Sequence, residues 1–189
     1  MPTLRPALVT FATLAVLTGL AYPLTLVGAG RLCFRQKAEG SLLRQNEQLV
    51  GSRLIAQHTE DPKYFWGRLS ATGDFPTNAA NSGGSNLAPS NPNLIKAADR
   101  RLRALRAADP GNEGPVPVDL LTASGSGLDP HISPAAAAFQ VARVARMRSL
   151  PIARVQDLVA RHSKGRLLGI LGEPRVHVLE LNMALDEQR

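Results

Sequence analysis

Hydrophobic positions run along this chain in two different ways. From Pro6 to Gly30 they are almost unbroken, and no charged residue stands between Arg5 and Arg31. A run with no polar face predicts a helix surrounded by apolar material rather than an amphipathic one. As a helix, Pro6 to Gly30 would be roughly 37 Å long, enough to cross a hydrocarbon core of about 30 Å with some tilt or a kink at Pro23. The pattern divides the chain into a tail over 1–5, a membrane anchor over 6–30 and a body over 31–189. A cleaved signal peptide is the alternative, with Gly28, Ala29 and Gly30 as the small residues near a cleavage site. The run is longer than a signal's apolar segment and only Arg5 precedes it, which favours a retained anchor. Arg31, Arg35 and Lys37 follow the run, and a positive-inside count would leave the body in the cytoplasm.

Beyond Arg31 the pattern changes to short periodic segments between polar loops. Residues 38–58 fit either a hairpin or a glycine-broken helix. Residues 70–93 read as a loop. Asn91-Pro92 is a cap followed by a first-turn proline, and Ile95, Ala98, Leu102 and Leu105 form the apolar stripe of the helix it opens. Val116 to Leu121 predicts a short strand. A second loop, Thr122 to Ser133, centres on Ser124-Gly125-Ser126-Gly127. Ser133-Pro134 opens the next helix, with Ala138, Val141, Ala142 and Ala145 inward and Gln140 and Arg143 facing elsewhere. Pro151 opens another, with Ile152, Val155, Leu158, Val159 and His162 on one side. Leu167–Leu171 and Arg175–Leu181 predict two strands joined at Gly172-Glu173-Pro174. Strands and helices mix without a βαβ repeat, so the fold class is α+β, one transmembrane helix followed by a single mixed domain.

Charge sharpens this picture locally. The chain carries +7, and residues 135–172 hold Arg143, Arg146, Arg148, Arg154, Arg161, Lys164 and Arg166 against Asp157 alone. No nucleic-acid motif and few aromatics accompany them, so the simplest reading is a solvated arginine face, with an acidic protein as the next and nucleic acid excluded. One cysteine, Cys33, leaves no internal disulfide and no cysteine-based metal site.

The loop TASGSGLDPHIS invites a search for chemistry. It has no lysine, so it is no P-loop, and neither Ser124 nor Ser126 has the glycine two residues earlier that a nucleophile elbow needs. His58, His131, His162 and His177 are scattered, without metal-ligand spacing. Asp129 is a plausible acceptor for N–H groups of its own loop, and His131 could change charge near neutral pH. One carboxylate makes a poor cation site. The two loops, 81–93 and 122–133, are expected to lie together as one polar face. Ser82, Gly83, Gly84, Ser85, Asn86, Ser124, Ser126, Asp129 and His131 are its candidate loop-structuring or subunit-contact residues.

YFWGRLSA (64–71), NSGGSNLAPSNPNL (81–94), PVPVDLLTASGSGLDPHISPAAAAFQVARVA (115–145) and LGILGEPRVHVLELNMALD (168–186) together resemble the C-subunit family of the bacterial potassium-transporting Kdp ATPase. The likeness runs from the anchor nearly to the C-terminus. Departures are local: Ala56 and Ala88 stand where glycine is usual, Leu69 where proline is frequent and His177 where asparagine is common.

The resemblance implies a single-pass protein of the bacterial inner membrane whose domain is extracytoplasmic. Its implied partners are a potassium-conducting A subunit, a P-type ATPase B subunit and a small F peptide. ATP and potassium would be handled by the complex, with no cofactor and no catalytic residue in this chain, which lacks the Asp-Lys-Thr-Gly phosphorylation motif. The family's C subunit supports assembly and is also described as a catalytic chaperone that raises ATP affinity. The stretch Ser82-Gly83-Gly84-Ser85 resembles part of the signature loop of ABC transporters, with serine in place of glutamine, which keeps direct contact with ATP as the alternative.

Overall fold

The computed structural model describes residues 3–188. They form two units that divide between Leu43 and Arg44. The first is built on a continuous helix, Leu4–Cys33, long and apolar enough to cross a membrane. It consists of α1 (Leu4–Val16), a π-helical turn (Leu17–Ala21) and α2 (Tyr22–Cys33). The irregularity expected at Pro23 thus lies one turn earlier. Pro23 has no N–H to donate and its ring crowds the carbonyl four residues back, at Gly19, so the preceding turn widens. A short helix, α3 (Arg35–Ala38), follows.

In the ambiguous stretch the hairpin prevails: β1 (Leu42–Gln45) and β2 (Gln48–Ser52) are joined through Asn46 and Glu47, with φ of 49° and 66°. Two left-handed residues between strands suit the right-handed twist of a hairpin. The body continues with α4 (Pro92–Ala108), α5 (Val118–Leu121), β3 (His131–Ile132), α6 (Pro134–Met147), α7 (Ile152–His162), β4 (Ser163–Lys164), β5 (Arg175–His177) and α8 (Val178–Asp186). β5 is the centre of an antiparallel sheet in the order β3-β5-β4. Both expected caps form: Asn91 accepts the Asn93 N–H at 2.9 Å and Ser133 accepts the Ala136 N–H at 3.0 Å.

Three expected strands need correction. Val116–Leu121 contains a one-turn helix instead, because Pro115 and Pro117 lack the N–H groups a ladder requires. Leu167–Leu171 closes on itself as a turn, with Leu167 and Leu171 exchanging backbone bonds of 2.8 and 3.0 Å. The last strand stops at His177, whose Nδ1 accepts the Glu180 N–H at 3.2 Å and so starts α8.

Two helices are also rotated from their expected stripes. On α6, Ala138 and Ala142 are exposed while Gln140 and Arg143 are buried beside Ala136, Ala137, Val141, Val144 and Ala145. On α4, Ile95 is exposed and Arg101 lies inside with Leu105; on α7, Ile152 is exposed but Val155, Leu158 and Val159 face the core as expected.

The reason lies in an irregular segment that crosses the core. Phe65 and Trp66 are buried without strand partners, so their backbone groups must be satisfied by side chains. Asn182 of α8 accepts the Phe65 N–H at 2.9 Å and donates to its carbonyl at 3.0 Å. Gln140 of α6 does the same for Trp66, at 2.8 and 3.1 Å. Arg143 donates to Gln140 Oε1 at 2.7 Å and to the carbonyls of Tyr64 and Pro62. Its guanidinium and that of Arg101 lie 4.7 and 4.9 Å from the Trp66 ring centroid. Burial lowers the Arg143 pKa to about 10, which still leaves it charged at neutral pH.

Of the expected solvated arginine face, Arg146, Arg154, Arg161, Lys164 and Arg166 are exposed, several of them paired with acids, while Arg143 and Arg148 turn inward. Arg143 is in the core, Arg148 reaches Asp186 at 2.7 Å, Arg146 reaches Asp109 at 2.9 Å, Arg161 reaches Asp157 at 2.6 Å and Arg166 reaches Glu173 at 2.9 Å.

Candidate functional site

The segment pinned by Gln140 and Asn182 continues into Arg68 and Leu69, and these residues organise the polar loops. Leu69 and Ala123 form a parallel bridge, and the Ser124 N–H reaches the Leu69 carbonyl at 3.1 Å. Arg68 donates to the Ala123 carbonyl and to Asp129 Oδ2, both at 3.2 Å. The second loop is thereby fixed at its start and near its end.

The first loop docks on it through backbone. The Gly83 N–H donates to the Ser126 carbonyl at 2.9 Å, and Ser82 Oγ to the same oxygen at 3.0 Å. Glycine is needed on both sides of this seam. A Cβ on Gly84 would stand 2.8 Å from the Gly125 carbonyl oxygen. One on Gly127, where φ is +69°, would stand 2.7 Å from the Gly83 oxygen and 2.6 Å from Thr72 Cγ2. Ser124 is buried, and Ser126 Oγ accepts the Leu128 N–H at 3.1 Å. Ser85 and Asn86 are exposed, Asn86 at a φ of 50°. The expectation that the two loops lie together is met.

Asp129 is the electrostatic centre of the second loop. Its Oδ1 accepts the His131 N–H at 3.0 Å and lies 3.2 Å from His131 Nδ1, while Oδ2 takes the Arg68 guanidinium. These contacts, led by the His131 side chain, hold the carboxyl below its ordinary pKa. His131 meets His177 edge to face, with ring centroids 5.2 Å apart. His177 is buried with Nε2 2.8 Å from the Arg53 carbonyl. Burial pushes its pKa down, and His131 adds to the effect. With Nε2 donating to Arg53 and Nδ1 accepting from Glu180, the neutral ring is fully used.

A concave pocket of about 560 Å³ opens beside these residues, with Arg68, Asp119, Asp129, His131, Glu173 and Arg175 on its walls. Its carboxylates are engaged: Asp129 with Arg68, Glu173 with Arg166, and Asp119 with the Ser133 N–H at 2.7 Å and hydroxyl at 3.2 Å. Among the described residues no group of three His, Cys, Asp or Glu side chains could hold a metal ion. With these carboxylates already bonded, the walls present polar groups that their neighbours hold in place. Arg68, Asp119, Glu173 and Arg175 were not among the residues expected from sequence. The one sequence signal among them was the place of Arg68 directly after the aromatic stretch YFWG.

The profile of the family described as "KdpC: K+-transporting ATPase, c chain" matches residues 4–187. A potassium-transporting ATPase KdpC subunit of Polaromonas naphthalenivorans is 61% identical over 183 residues, covering 97% of this chain and 93% of its own. That of Variovorax paradoxus is also 61% identical over 183 residues, covering 97% and 95%. That of Methylococcus capsulatus is 55% identical over 185 residues, covering 98% and 97%. The matched residues span the N-terminal apolar helix and the body together, and the chain belongs to the KdpC family, the c chain of the K+-transporting ATPase.

Proposed function

We propose that this chain is a non-catalytic subunit of an ATP-driven, high-affinity potassium uptake complex. The helix α1–α2 anchors it in the bacterial inner membrane, and its body stands on the extracytoplasmic side against the potassium-conducting A subunit. There it stabilises assembly with the P-type ATPase B subunit and the small F peptide. The observation that carries this reading is the backbone seam between Gly83 and Ser126. It makes a face rich in small side chains rigid before any partner arrives, and rigid polar faces lose little entropy on docking.

The alternative, direct contact with ATP to raise the affinity of the B subunit, finds less support. The Gly83 N–H, which a phosphate cradle at Ser82–Ser85 would use, is already committed to Ser126, and neither loop contains a lysine. A reporter fused after Arg189 and active in one compartment only decides the side of the body. Asp129→Asn and His131→Ala, each expressed with the other subunits, then test the face. Both are expected to lower recovery of the intact complex and potassium uptake. Normal assembly and unchanged transport in both variants overturn the assignment of this face.

A further inference from the structure

The turn between β4 and β5 is unlike the polar loops. Leu167, Leu168, Ile170 and Leu171 are 68, 83, 75 and 57% exposed within five consecutive positions. Contiguous exposed aliphatics of this kind mark a surface that something covers. The turn is ordered from within: besides the Leu167–Leu171 pair, the Gly169 N–H reaches the Arg166 carbonyl and the Ile170 N–H reaches the Leu167 carbonyl, both at 3.2 Å. Leu168 holds a φ of +55°, a left-handed conformation unfavourable to a residue with a Cβ, and nearly all its side chain faces outward.

The base of the turn is cationic. Lys164 on β4 lies directly opposite Arg175 on β5, an arrangement of like charges that a strand pair disfavours on its own. The one acid in residues 163–175 is Glu173, and it binds Arg166. An apolar tip over two neighbouring cations has the chemistry of an anionic lipid surface: aliphatic chains below, phosphate headgroups at the rim. The chain also carries its own membrane-length helix. Ten residues, Phe34 to Leu43, link that helix to the body, so even fully extended they span at most about 36 Å. A tether this short gives a weak lipid contact a high effective concentration.

We propose that Leu167–Leu171 is a lipid-docking tip, its aliphatic side chains entering the bilayer interface while Lys164 and Arg175 meet anionic headgroups. The proposal rests on α1–α2 being a retained anchor.

The test uses the full chain with Cys33→Ser, alone and co-purified with the other subunits, in nanodiscs containing phosphatidylglycerol. An environment-sensitive fluorophore is attached through Leu168→Cys or, as a control on an exposed residue elsewhere, Glu113→Cys. Brominated lipids should quench the probe at 168 at least about threefold more than at 113, and adding Ile170→Asp with Leu171→Asp should abolish the difference. Equal quenching of the two sites by aqueous iodide, with no lipid quenching at 168, overturns the proposal. So does shielding at 168 from both quenchers only when the other subunits are present, which identifies a protein partner. A chain that fails to enter the disc at all defeats the anchor and this proposal with it, whereas a chain that enters without lipid quenching defeats the tip alone.

Discussion

Two irregular parts of the body are held by opposite means. At Phe65 and Trp66 the chain is buried, and its N–H and C=O groups are taken by the side-chain amides of Asn182 on α8 and Gln140 on α6, with Arg143 and Arg101 against the Trp66 ring. Around Gly83–Gly84 and Gly125–Gly127 the backbones approach because side chains are missing. The first region depends on what is present and the second on what is not. Truncation should therefore damage the first, addition the second.

The largest expected effect is in the amide-pinned core. Gln140→Leu keeps the volume but strands the Trp66 N–H and C=O and removes a partner of Arg143. Unpaired buried groups of this kind cost about 3–5 kcal/mol. Trp66 is the chain's one tryptophan, so its fluorescence reports denaturation of this region directly. A loss below about 1 kcal/mol would mean that water replaces the amide and that the pin is not structural.

Gly127→Ala tests the other side. Its methyl would meet the Gly83 carbonyl and Thr72, at a φ that disfavours any Cβ. We expect a loss of about 2–4 kcal/mol, from backbone strain and overpacking together, and faster amide exchange at Gly83. If stability falls but Gly83 stays protected, the seam is not what holds the loops together.

The two devices differ in how legible they are in sequence. Glycine, serine and proline announce close approach and helix starts by chemistry that acts within a few residues, which is why the caps at Asn91 and Ser133 and the meeting of the two loops were readable. The amide pins were not. Alanines at 135–138, 142 and 145 fit either side of α6, so periodicity could not choose a stripe, and polarity alone sent Gln140 and Arg143 outward. What turned α6 was a buried backbone over seventy positions earlier, a long-range demand that local pattern cannot express. The strand predicted through His177 failed for a related reason: Val176, Val178, Leu179 and Leu181 run through β5 into α8 with no glycine or proline between them, and only the cap made by His177 separates the two.

His177 joins the two regions, since it faces His131 of the loop and caps the helix that carries Asn182. Its folded pKa lies below the ordinary 6.5, chiefly through burial, so the unfolded chain takes up a proton first as pH falls. The linked stability is fully present above about 6.5 and is lost as pH drops from there toward the folded value. Asp129 runs lower: its contribution is full above about 3.8 and is lost as pH falls from there through its depressed folded pKa. His177→Asn can still cap α8 but cannot titrate, so it should stay within about 1 kcal/mol of the parent at neutral pH. Between about pH 7 and 5 its stability curve should be the flatter of the two, and equal slopes would assign the pH dependence elsewhere.

The smallest effect is expected at Leu168, where neither device operates. There a large side chain occupies a left-handed position, no burial compensates it, and the next residue, Gly169, already supplies a φ of +80° for the turn. At the seam itself the left-handed position, Gly127, is a glycine, although Asn86 and Thr77 hold a positive φ elsewhere in the loops with a side chain. If the body's stability alone governed the tip, glycine would serve better at 168. Leu168→Gly relieves the left-handed strain but frees the unfolded chain, so the net change should be a gain of about 0.5–1 kcal/mol. Denaturation midpoints of the two full-length chains measure it. A gain in stability accompanied by weaker membrane association would show that the leucine is kept for what it touches outside the body. A loss of stability would show that Leu168 packs inward in solution, and the tip would then belong with the pinned core rather than apart from both regions.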